Sequence, residues 1–323
     1  MASPIPGQQP AFRRAVDILR RGAPVDLKRG IEALQNAVAA GEPDASCLMA
    51  AVTANGIGVP QSWPRAFDLL LHAATAGSAA ARRQLMVLAG TSDDGLRAEL
   101  GKQDPELWRL YRRSIRLEDW IAPSEKQVLS KAPGIVTIKN FLSRGACAWI
   151  IDRAVDRLKP ALLYGTGSAA PVRLGDRTNT AFQINLLEMD VVVLMARARI
   201  AATIGVPTSF LEAPQILHYE TGEEFAAHRD YLDPGIPGQA ADFARRGQRI
   251  VTFLIYLNAE FEGGETDFPL LALAYKGKAG DALYFGNVDP SGRADPRTLH
   301  AGLPPTRGEK WLFSQWVRDR PSI

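Results

Sequence analysis

The chain has 323 residues, of which 46% are hydrophobic and 23% are charged, and its formal net charge is +3. This apolar content excludes a disordered protein, and the length suits two domains. The nearly balanced charge, from 38 basic and 35 acidic residues, argues against a nucleic-acid partner.

No apolar run is long enough for a signal peptide or a membrane helix, so no membrane partner is expected. The two cysteines, Cys47 and Cys147, are far apart in the sequence and lie outside any C-x-x-C motif. They are therefore expected to be buried thiols in a reducing compartment. The protein is predicted to be cytoplasmic.

The first third of the chain contains an internal similarity. An offset of 36 residues pairs Gly41 with Gly77, together with the alanine-rich stretches around them. Alanine and leucine at helical spacing with a glycine at each turn are typical of helix-turn-helix repeats. The segment NGIGVPQSWPRAFDLLLHAATAG resembles the short, glycine-containing (Sel1-type) relatives of the tetratricopeptide repeat. The alternative is an alanine-rich helical bundle with an accidental similarity.

Helical character continues to about Trp120, where two proline-containing breaks follow, at Ala122-Pro123-Ser124 and Ala132-Pro133-Gly134. We therefore predict a helical-repeat domain over residues 1–121 and a second domain over residues 122–323. Repeats of this kind bind peptides or proteins on one face, which could recruit a protein substrate. With about two copies, they could instead serve only to pack on the second domain.

The second domain is predicted to be mostly strands. One helix is expected to carry Cys147 to Leu158 on one face, and another to carry Leu187 to Ala198 and to stop at Gly205. Short β-rich runs dominate the rest, and turn residues separate them. The predicted strands are Gly134–Ile138, Gln215–Tyr219, Arg249–Leu257, Ala282–Phe285 and Trp311–Val317. The resulting fold class is α+β, with a helical segment followed by a double-sheet jelly roll flanked by helices.

The motif His228-Arg229-Asp230 follows the predicted strand Gln215–Tyr219 and is itself interpreted as part of a strand. Residues i and i+2 of a strand point to the same side, so His228 and Asp230 could share one metal ion. His300, at the start of the last strands, is a candidate third ligand. Two histidines and one carboxylate that leave open positions form the facial triad of non-haem Fe(II) oxygenases. An isolated H-x-D motif, however, is more often a solvated strand.

Lys310 follows His300 by ten residues. A chelating dicarboxylate cosubstrate needs a cation at its far carboxylate, and a lysine one strand beyond the last ligand could supply it. The alternative is a surface lysine in a turn.

Three segments carry a family resemblance: HYETGEEFAAHRDY, QRIVTFLIYLNAEFEGGETDFP and KGKAGDALYFGNVDPSGRADPRTLHAGLPPTRGEKWLFSQWVRD. Together they resemble the catalytic core of the prolyl 4-hydroxylase family. The resemblance runs from about Gly134 to about Arg318. It implies a double-stranded β-helix that uses Fe(II), 2-oxoglutarate and O2, with ascorbate (vitamin C) as a supporting reductant. The expected activity is that of a dioxygenase that hydroxylates a C–H bond and releases succinate and CO2.

The resemblance also assigns roles by position. It implies that His228, Asp230 and His300 hold Fe(II), that Lys310 pairs with 2-oxoglutarate, and that Tyr219 hydrogen-bonds this cosubstrate. Residues of lower rank are Tyr256, which could equally be a core tyrosine, the pocket candidates Thr266 and Trp316, and Arg249, which is either a substrate-side residue or a structural ion pair. Phe225 is a departure, because relatives acting on peptidyl proline often have tyrosine there and the substrate-orienting hydroxyl is lost.

Two further segments are expected to be loops. Tyr164–Ser168 lacks the lysine and the strand context of a phosphate-binding loop, and a mobile loop over the site is the preferred interpretation. The insert Asp233–Gly247 follows the metal ligands directly, and it is either a lid or a disordered surface loop.

Three functions are compatible with these observations. The first is a peptidyl hydroxylase, with proline as the leading target. The second is a hydroxylase of a free amino acid or small metabolite, which the loss of the hydroxyl at Phe225 favours. The third is an inactive adaptor that binds a partner through its repeats, although the complete triad and Lys310 argue against it.

Overall fold

A computed structural model describes residues 10–91, 95, 98–161, 163–164, 171–172 and 176–321. The chain forms two compact units. One comprises the described residues of Met1–Ala122 together with Leu186–Ala196, and the other those of Pro123–Asn185 and Arg197–Ile323. The division after Ala122 lies one residue from the predicted boundary, but the segment Leu186–Ala196 groups with the first unit.

Helices dominate the first unit. In chain order, they are α1 (Pro10–Leu19), α2 (Pro24–Ala39), α3 (Pro43–Asn55), α4 (Trp63–Thr75), α5 (Ala79–Leu88), α6 (Pro105–Ser114) and α7 (Leu117–Ile121). Gly41 and Gly77 both have positive φ and lie two residues before α3 and α5 respectively. The 36-residue offset thus relates the turn before α3 to the turn before α5. Their kinship to tetratricopeptide repeats stays a prediction.

The described residues contain three further α-helices later in the chain. They are α8 (Arg144–Asp152), α9 (Val191–Ile204) and α10 (Pro237–Arg246). The helix α9 begins later than predicted, because the Asp190 carboxylate accepts a hydrogen bond from the Val193 amide and caps the first turn, so Leu187 lies outside the helix. It ends at Ile204, as predicted from Gly205.

The strands of the second unit form two sheets of the jelly roll and two small ribbons. They are β1 (Gln127–Lys131), β2 (Gly134–Ile138), β3 (Lys159–Pro160), β4 (Leu163–Tyr164), β5 (Pro171–Val172), β6 (Thr180–Gln183), β7 (Gln215–Tyr219), β8 (Phe225–His228), β9 (Arg249–Tyr256), β10 (Phe261–Gly263), β11 (Thr266–Phe268), β12 (Leu273–Tyr275), β13 (Ala282–Gly286), β14 (His300–Gly302), β15 (Pro305–Gly308) and β16 (Lys310–Arg318).

The larger sheet has the order β1-β2-β13-β9-β16-β7-β6-β3, and the smaller has the order β12-β11-β14-β8. The ribbons are β10-β15 and β4-β5. All of the paired strands are antiparallel. The predicted α+β fold with a jelly roll is confirmed, and so are the strands predicted around β2, β7, β9, β13 and β16.

One apolar core fills the space between the two sheets. The larger sheet contributes alternate residues such as Leu254 and Tyr256 of β9, and the smaller contributes Phe225 and Phe268. Alternation arises because successive side chains of a strand point to opposite faces. This core forms the walls of the site described below.

The insert after the metal-ligand motif is not the disordered surface loop that was one alternative, and its role as a lid stays a prediction. Residues 237–246 form α10, which begins with proline at its first turn and ends before Gly247, where φ is +75°. Asp242 of this helix is buried and accepts hydrogen bonds from Arg246 and Arg318. The insert is therefore held by buried ion pairs. The other predicted loop, Tyr164–Ser168, lies outside the described residues except for Tyr164.

Within the described residues, no helix combines the length and apolar character needed to cross a membrane. Neither Cys47 nor Cys147 is part of a disulfide; Cys147 is buried, as predicted, whereas Cys47 is partly exposed.

Candidate active site

Three side chains with metal-ligating atoms meet between the two sheets. His228 ends β8, and His300 begins β14, where the antiparallel register pairs the two residues directly. Asp230 lies two residues beyond the end of β8. One ligand atom from each of the three residues lies within 4.8 Å of the others. The strand register thus brings together residues that are separated by seventy positions in the sequence.

Each imidazole has its outer nitrogen fixed by a backbone carbonyl. Nδ1 of His228 lies 2.8 Å from the carbonyl oxygen of Ala226, and Nδ1 of His300 lies 3.0 Å from that of Thr298. Because a carbonyl oxygen can only accept, Nδ1 carries the proton in both rings. Nε2 of each ring therefore faces Asp230, as it does in metal-binding histidines.

The electrostatics of the cluster suit a cation. Burial, together with the neighbouring His300, lowers the pKa of His228 to about 3, so this ring is neutral at neutral pH. Burial opposes ionisation of Asp230, but the imidazoles of His300 and His228 outweigh it and lower the pKa of the carboxyl to about 2. Neutral imidazole and ionised carboxylate are the forms that bind a divalent metal. The donor set of two nitrogens and one oxygen fits Fe(II).

Lys310 begins β16 and pairs with Tyr219 of β7. Its side chain is fully buried, and among the described residues its Nζ has no hydrogen-bond partner. Burial lowers its pKa to about 7. A buried amine without a partner is costly, and an anionic ligand would offset that cost. The lysine lines the same cavity as the triad, which fits a ligand that is anionic at both ends.

The remaining cosubstrate candidates divide into two groups. Tyr219 and Thr266 line the cavity beside the triad, and burial raises the pKa of Tyr219 to about 12, so its hydroxyl remains a donor. Tyr256 is fully buried and does not line the cavity. Its hydroxyl lies 2.9 Å from Thr266 Oγ1 and donates to the carbonyl of Tyr275. The geometry of Tyr256 is thus that of the core tyrosine considered as the alternative.

Phe225 is the first residue of β8 and precedes the triad in the sequence, whereas Lys310 follows it. Its ring stacks on that of His228, with centroids 3.4 Å apart and an interplanar angle of 11°. The guanidinium of Arg177 lies 4.4 Å from the Phe225 centroid. A cation over an aromatic face is favourable, so Phe225 has a packing role here that needs no hydroxyl.

Arg249 and Trp316 form a stack in which the guanidinium lies 3.5 Å from the ring centroid. Trp316 lines the cavity, and its Nε1 is buried with no hydrogen-bond partner among the described residues. Arg249 does not line the cavity, and its guanidinium donates two hydrogen bonds to the Glu212 carboxylate, at 2.7 and 3.2 Å. The ion pair considered as an alternative for Arg249 is therefore present, and its role toward a substrate stays a prediction.

Sequence reasoning missed several residues that line the cavity, among them Arg177 and Thr252. Thr252 could have been found, because it shares one face of β9 with Leu254 and Tyr256 at the period of two. Arg177 follows no periodic pattern. It reaches the cavity because it bridges to Phe225 of β8, a pairing that only the tertiary structure reveals.

Comparison with known proteins places these residues in context. A sequence model of the 2OG-Fe(II) oxygenase superfamily matches residues 214–318. The chain is 34% identical to a probable prolyl 4-hydroxylase 9 of Arabidopsis thaliana, over 63% of this chain and 75% of the relative. It is 30% identical to prolyl 4-hydroxylase 1 of the same plant, over 60% of this chain and 72% of the relative.

A solved structure is also similar, that of a viral collagen prolyl hydroxylase from Paramecium Bursaria Chlorella virus-1 in complex with 2OG. The identity is 27%, the TM-score is 0.44, and the match covers 57% of this chain and 94% of that chain. Because the TM-score is low, the sequence matches carry the comparison.

Proposed function

Since the chain belongs to the prolyl 4-hydroxylase-like 2OG-Fe(II) oxygenases, we propose that it hydroxylates a prolyl residue in a protein or peptide. Fe(II), 2-oxoglutarate and O2 are the cofactor and cosubstrates of this dioxygenase family. The proline target is supported by the names of the relatives, which are prolyl 4-hydroxylases. Ascorbate as a supporting reductant and a cytoplasmic location remain predictions from the sequence.

The observation that carries the activity is the pairing of two features in one cavity. The His228–Asp230–His300 cluster has the donor set that Fe(II) needs, with His228 neutral and Asp230 ionised. Lys310 supplies a buried amine that lacks a partner among the described residues. A metal centre and an unpaired cation lining the same cavity fit a dicarboxylate that chelates at one end and forms an ion pair at the other.

When bound, Fe(II) and 2-oxoglutarate supply the chemistry that inserts one oxygen atom of O2 into a C–H bond and releases succinate and CO2. The protein contributes binding and orientation. His228 and His300 offer Nε2 atoms whose direction the Nδ1–carbonyl contacts fix. Lys310 attracts the distal carboxylate, and Tyr219 lies in the same cavity as a hydrogen-bond donor. Thr266 also lines the cavity, but its hydroxyl proton is donated to Tyr256. The apolar core around them excludes water.

A free amino acid or small metabolite is the second candidate substrate. Phe225 favours it, because the phenylalanine lacks the hydroxyl that would orient a peptidyl proline. In this chain the ring instead packs between His228 and Arg177. Arg177 is a cavity-lining cation, and a guanidinium can bind either a substrate carboxylate or a peptide carbonyl.

Succinate formation tests these alternatives directly. Purified protein with Fe(II), 2-oxoglutarate and ascorbate is incubated alone, with proline-rich peptides, and with free amino acids, beside His228→Ala. We expect succinate formation to be stimulated by peptides and lost in the variant. Stimulation only by small molecules would establish the second candidate. Absence of turnover together with absence of metal binding would leave the adaptor function.

The helical unit is proposed to recruit the protein substrate. Support comes from a depression in this unit lined by side chains of α1, α2 and the turn between them. Four of its lining residues are arginines and two are aspartates: Arg13, Arg14, Arg21, Arg29, Asp17 and Asp26. This excess of positive charge suits an acidic segment that lies away from the target proline.

Recruitment by this depression predicts an effect that depends on substrate length. Arg14→Glu combined with Arg21→Glu should raise KM for a full-length acidic protein substrate and leave KM for a short peptide unchanged. Arg109→Glu combined with Arg113→Glu, on α6 of the same unit, is a matched control for the charge change. Equal KM values for the protein substrate in both double variants would contradict recruitment through the depression.

A further inference from the structure

Three buried side chains form a hydrogen-bonded chain that ends on the metal-ligand carboxylate. The hydroxyl of Thr252 donates to Oδ2 of Asp230 at 2.7 Å, and Nδ2 of Asn287 donates to Oγ1 of Thr252 at 2.9 Å. Thr252 is 1% exposed and Asn287 is fully buried. The three residues come from different segments, since Thr252 lies in β9, Asn287 follows β13 and Asp230 follows β8.

The direction of this chain is fixed by what each group can donate. An ionised carboxylate only accepts, so the single proton of the Thr252 hydroxyl must point at Asp230. The oxygen of Thr252 is then available only as an acceptor, and of the Asn287 amide only the NH2 end can donate to it. The opposite amide orientation would place two acceptors against each other.

Asn287 holds this orientation at a cost. Its Oδ1 is buried and has no hydrogen-bond partner among the described residues. A buried carbonyl without a hydrogen bond destabilises the fold, because it has lost its hydrogen bonds to water without replacing them. The Asn287 amide therefore stabilises the fold less than a fully hydrogen-bonded amide would. A residue kept in such a position serves the group at the other end of the chain, which is the Asp230 carboxylate.

We propose that Thr252 and Asn287 are positioning residues that commit Oδ2 of Asp230 to Thr252 and leave Oδ1 as the metal-binding oxygen. The inference rests on the proposed function, because it requires a metal at the His228–Asp230–His300 cluster. A ligating carboxylate that is held by a hydrogen bond keeps its orientation and takes one coordination position. The remaining positions then stay open to 2-oxoglutarate and O2.

Metal affinity without 2-oxoglutarate or substrate tests the proposal apart from turnover. Mn(II) binding is measured for the wild-type chain, Thr252→Val, Thr252→Ser and Asn287→Leu. We expect Thr252→Val, which keeps the side-chain shape and loses the hydroxyl, to weaken binding about 10- to 100-fold. Thr252→Ser should bind nearly as tightly as the wild type. Asn287→Leu should give a smaller loss, because Thr252 keeps its proton but can rotate.

Thr137→Val is the matched control. Thr137 is a buried threonine of β2 in the same larger sheet, and its hydroxyl donates to the carbonyl of Gln127. Its substitution should leave Mn(II) affinity unchanged. The visible absorption of the Co(II)-loaded protein should also change in Thr252→Val and not in the control, since a purely structural threonine would not alter the coordination of the metal.

The possible failures are distinguishable. A wild-type chain that binds no Mn(II) would sink the proposed function. Tight Mn(II) binding by both the wild type and Thr252→Val would overturn only the positioning role. Equal losses in Thr252→Ser and Thr252→Val would also overturn it, because packing of the methyl group would then be the cause. Should Thr252→Val not fold, Asn287→Leu decides: unchanged Mn(II) affinity and Co(II) absorption would overturn the role.

Discussion

The strand-rich unit contains two regions built around buried cations, and the two differ in how the charge is met. Lys310 and Arg318 lie at opposite ends of β16, and both side chains are fully buried. Arg318 donates to the carboxylates of Glu212 and Asp242, at 2.6 and 2.7 Å. Lys310 Nζ has no such partner among the described residues.

This difference distinguishes a cation that stabilises the fold from a cation that is available to bind a ligand. A charge removed from water is tolerated when carboxylates and hydrogen bonds surround it, as they surround Arg318. Arg318 also donates to the carbonyl of Gly247, so it ties α10 to β16 and holds the insert in place. Lys310 is left to be neutralised by a ligand, and burial lowers its pKa to about 7 in the absence of one. The buried cation without a carboxylate partner, Lys310, therefore belongs to the candidate site, whereas Arg318, which has carboxylate partners, stabilises the fold.

The largest expected effect is on the scaffold side. Arg318→Met should lower the free energy of unfolding by about 3–5 kcal/mol, because the buried carboxylates of Glu212 and Asp242 would each lose a charged partner. Urea denaturation measures this change. The control is Arg307→Met, which removes an exposed ion pair with Glu262 and should have little effect. Equal stability of the two variants would mean that the buried ion pairs of Arg318 stabilise the fold no more than the exposed ion pair of Arg307.

Lys310→Met should impair ligand binding and not stability. It should weaken 2-oxoglutarate binding about 10- to 150-fold, since a charge-assisted contact is lost, and leave the free energy of unfolding unchanged or higher. Calorimetric titration with 2-oxoglutarate in the presence of Mn(II), followed by denaturation of the ligand-free protein, gives both numbers. A loss of stability as large as that of Arg318→Met would make Lys310 a structural cation.

The unmet charge also predicts a pH dependence. Burial lowers the pKa of Lys310 from its ordinary 10.5 to about 7, with Lys276 acting in the same direction and Glu265 in the opposite one. Below pH 7 the amine is charged and ready for a carboxylate, whereas above pH 7 binding must take up a proton. The affinity for 2-oxoglutarate should therefore fall about fivefold between pH 7 and pH 8.

Titration at pH 8 in two buffers of different ionisation enthalpy detects the proton uptake. Lys310→Arg should lose the pH dependence, because a guanidinium stays charged throughout this range. A flat profile for the wild-type protein would mean that the amine is already charged at pH 8.

The smallest expected effects distinguish a structural tyrosine, Tyr256, from a ligand-binding one, Tyr219. Tyr256→Phe removes hydrogen bonds to Thr266 and the Tyr275 carbonyl, so it should cost about 1 kcal/mol of unfolding free energy. Its effect on 2-oxoglutarate affinity should be slight. Tyr219→Phe, which alters a residue lining the cavity, should weaken 2-oxoglutarate binding and leave stability nearly unchanged. The opposite pattern would exchange the roles of the two tyrosines.

Much of the site was predictable because strand periodicity is a local property. The H-x-D motif, the distant His300 and Lys310 could be selected from residue chemistry and order alone. The strands around β7, β9, β13 and β16 were predicted for the same reason, since β-branched and aromatic residues alternate between turns. The cavity lining of Tyr219, Phe225, Thr266 and Trp316 agrees with the residues selected.

Other features depended on contacts that a linear pattern does not contain. The insert after Asp230 reads as a loop because it is rich in glycine and proline, yet Asp242 and Arg318 fix a helix there from 76 positions apart. The sequence around Arg249 allows either a substrate contact or an ion pair, and the ion pair with Glu212 forms only in the folded chain. The grouping of Leu186–Ala196 with the helical unit is likewise a matter of long-range packing.

The sequence by itself therefore determined the donor set, the family and the order of the strands' polar and apolar residues, because each depends on side-chain chemistry and a period of two. Only the tertiary structure decided which buried cation has a carboxylate partner and which has none among the described residues. Burial and pairing arise from residues far apart in the chain, and the free energy of a buried charge depends on the neighbours that replace water. Lys310 and Arg318, eight positions apart on one strand, differ for that reason alone.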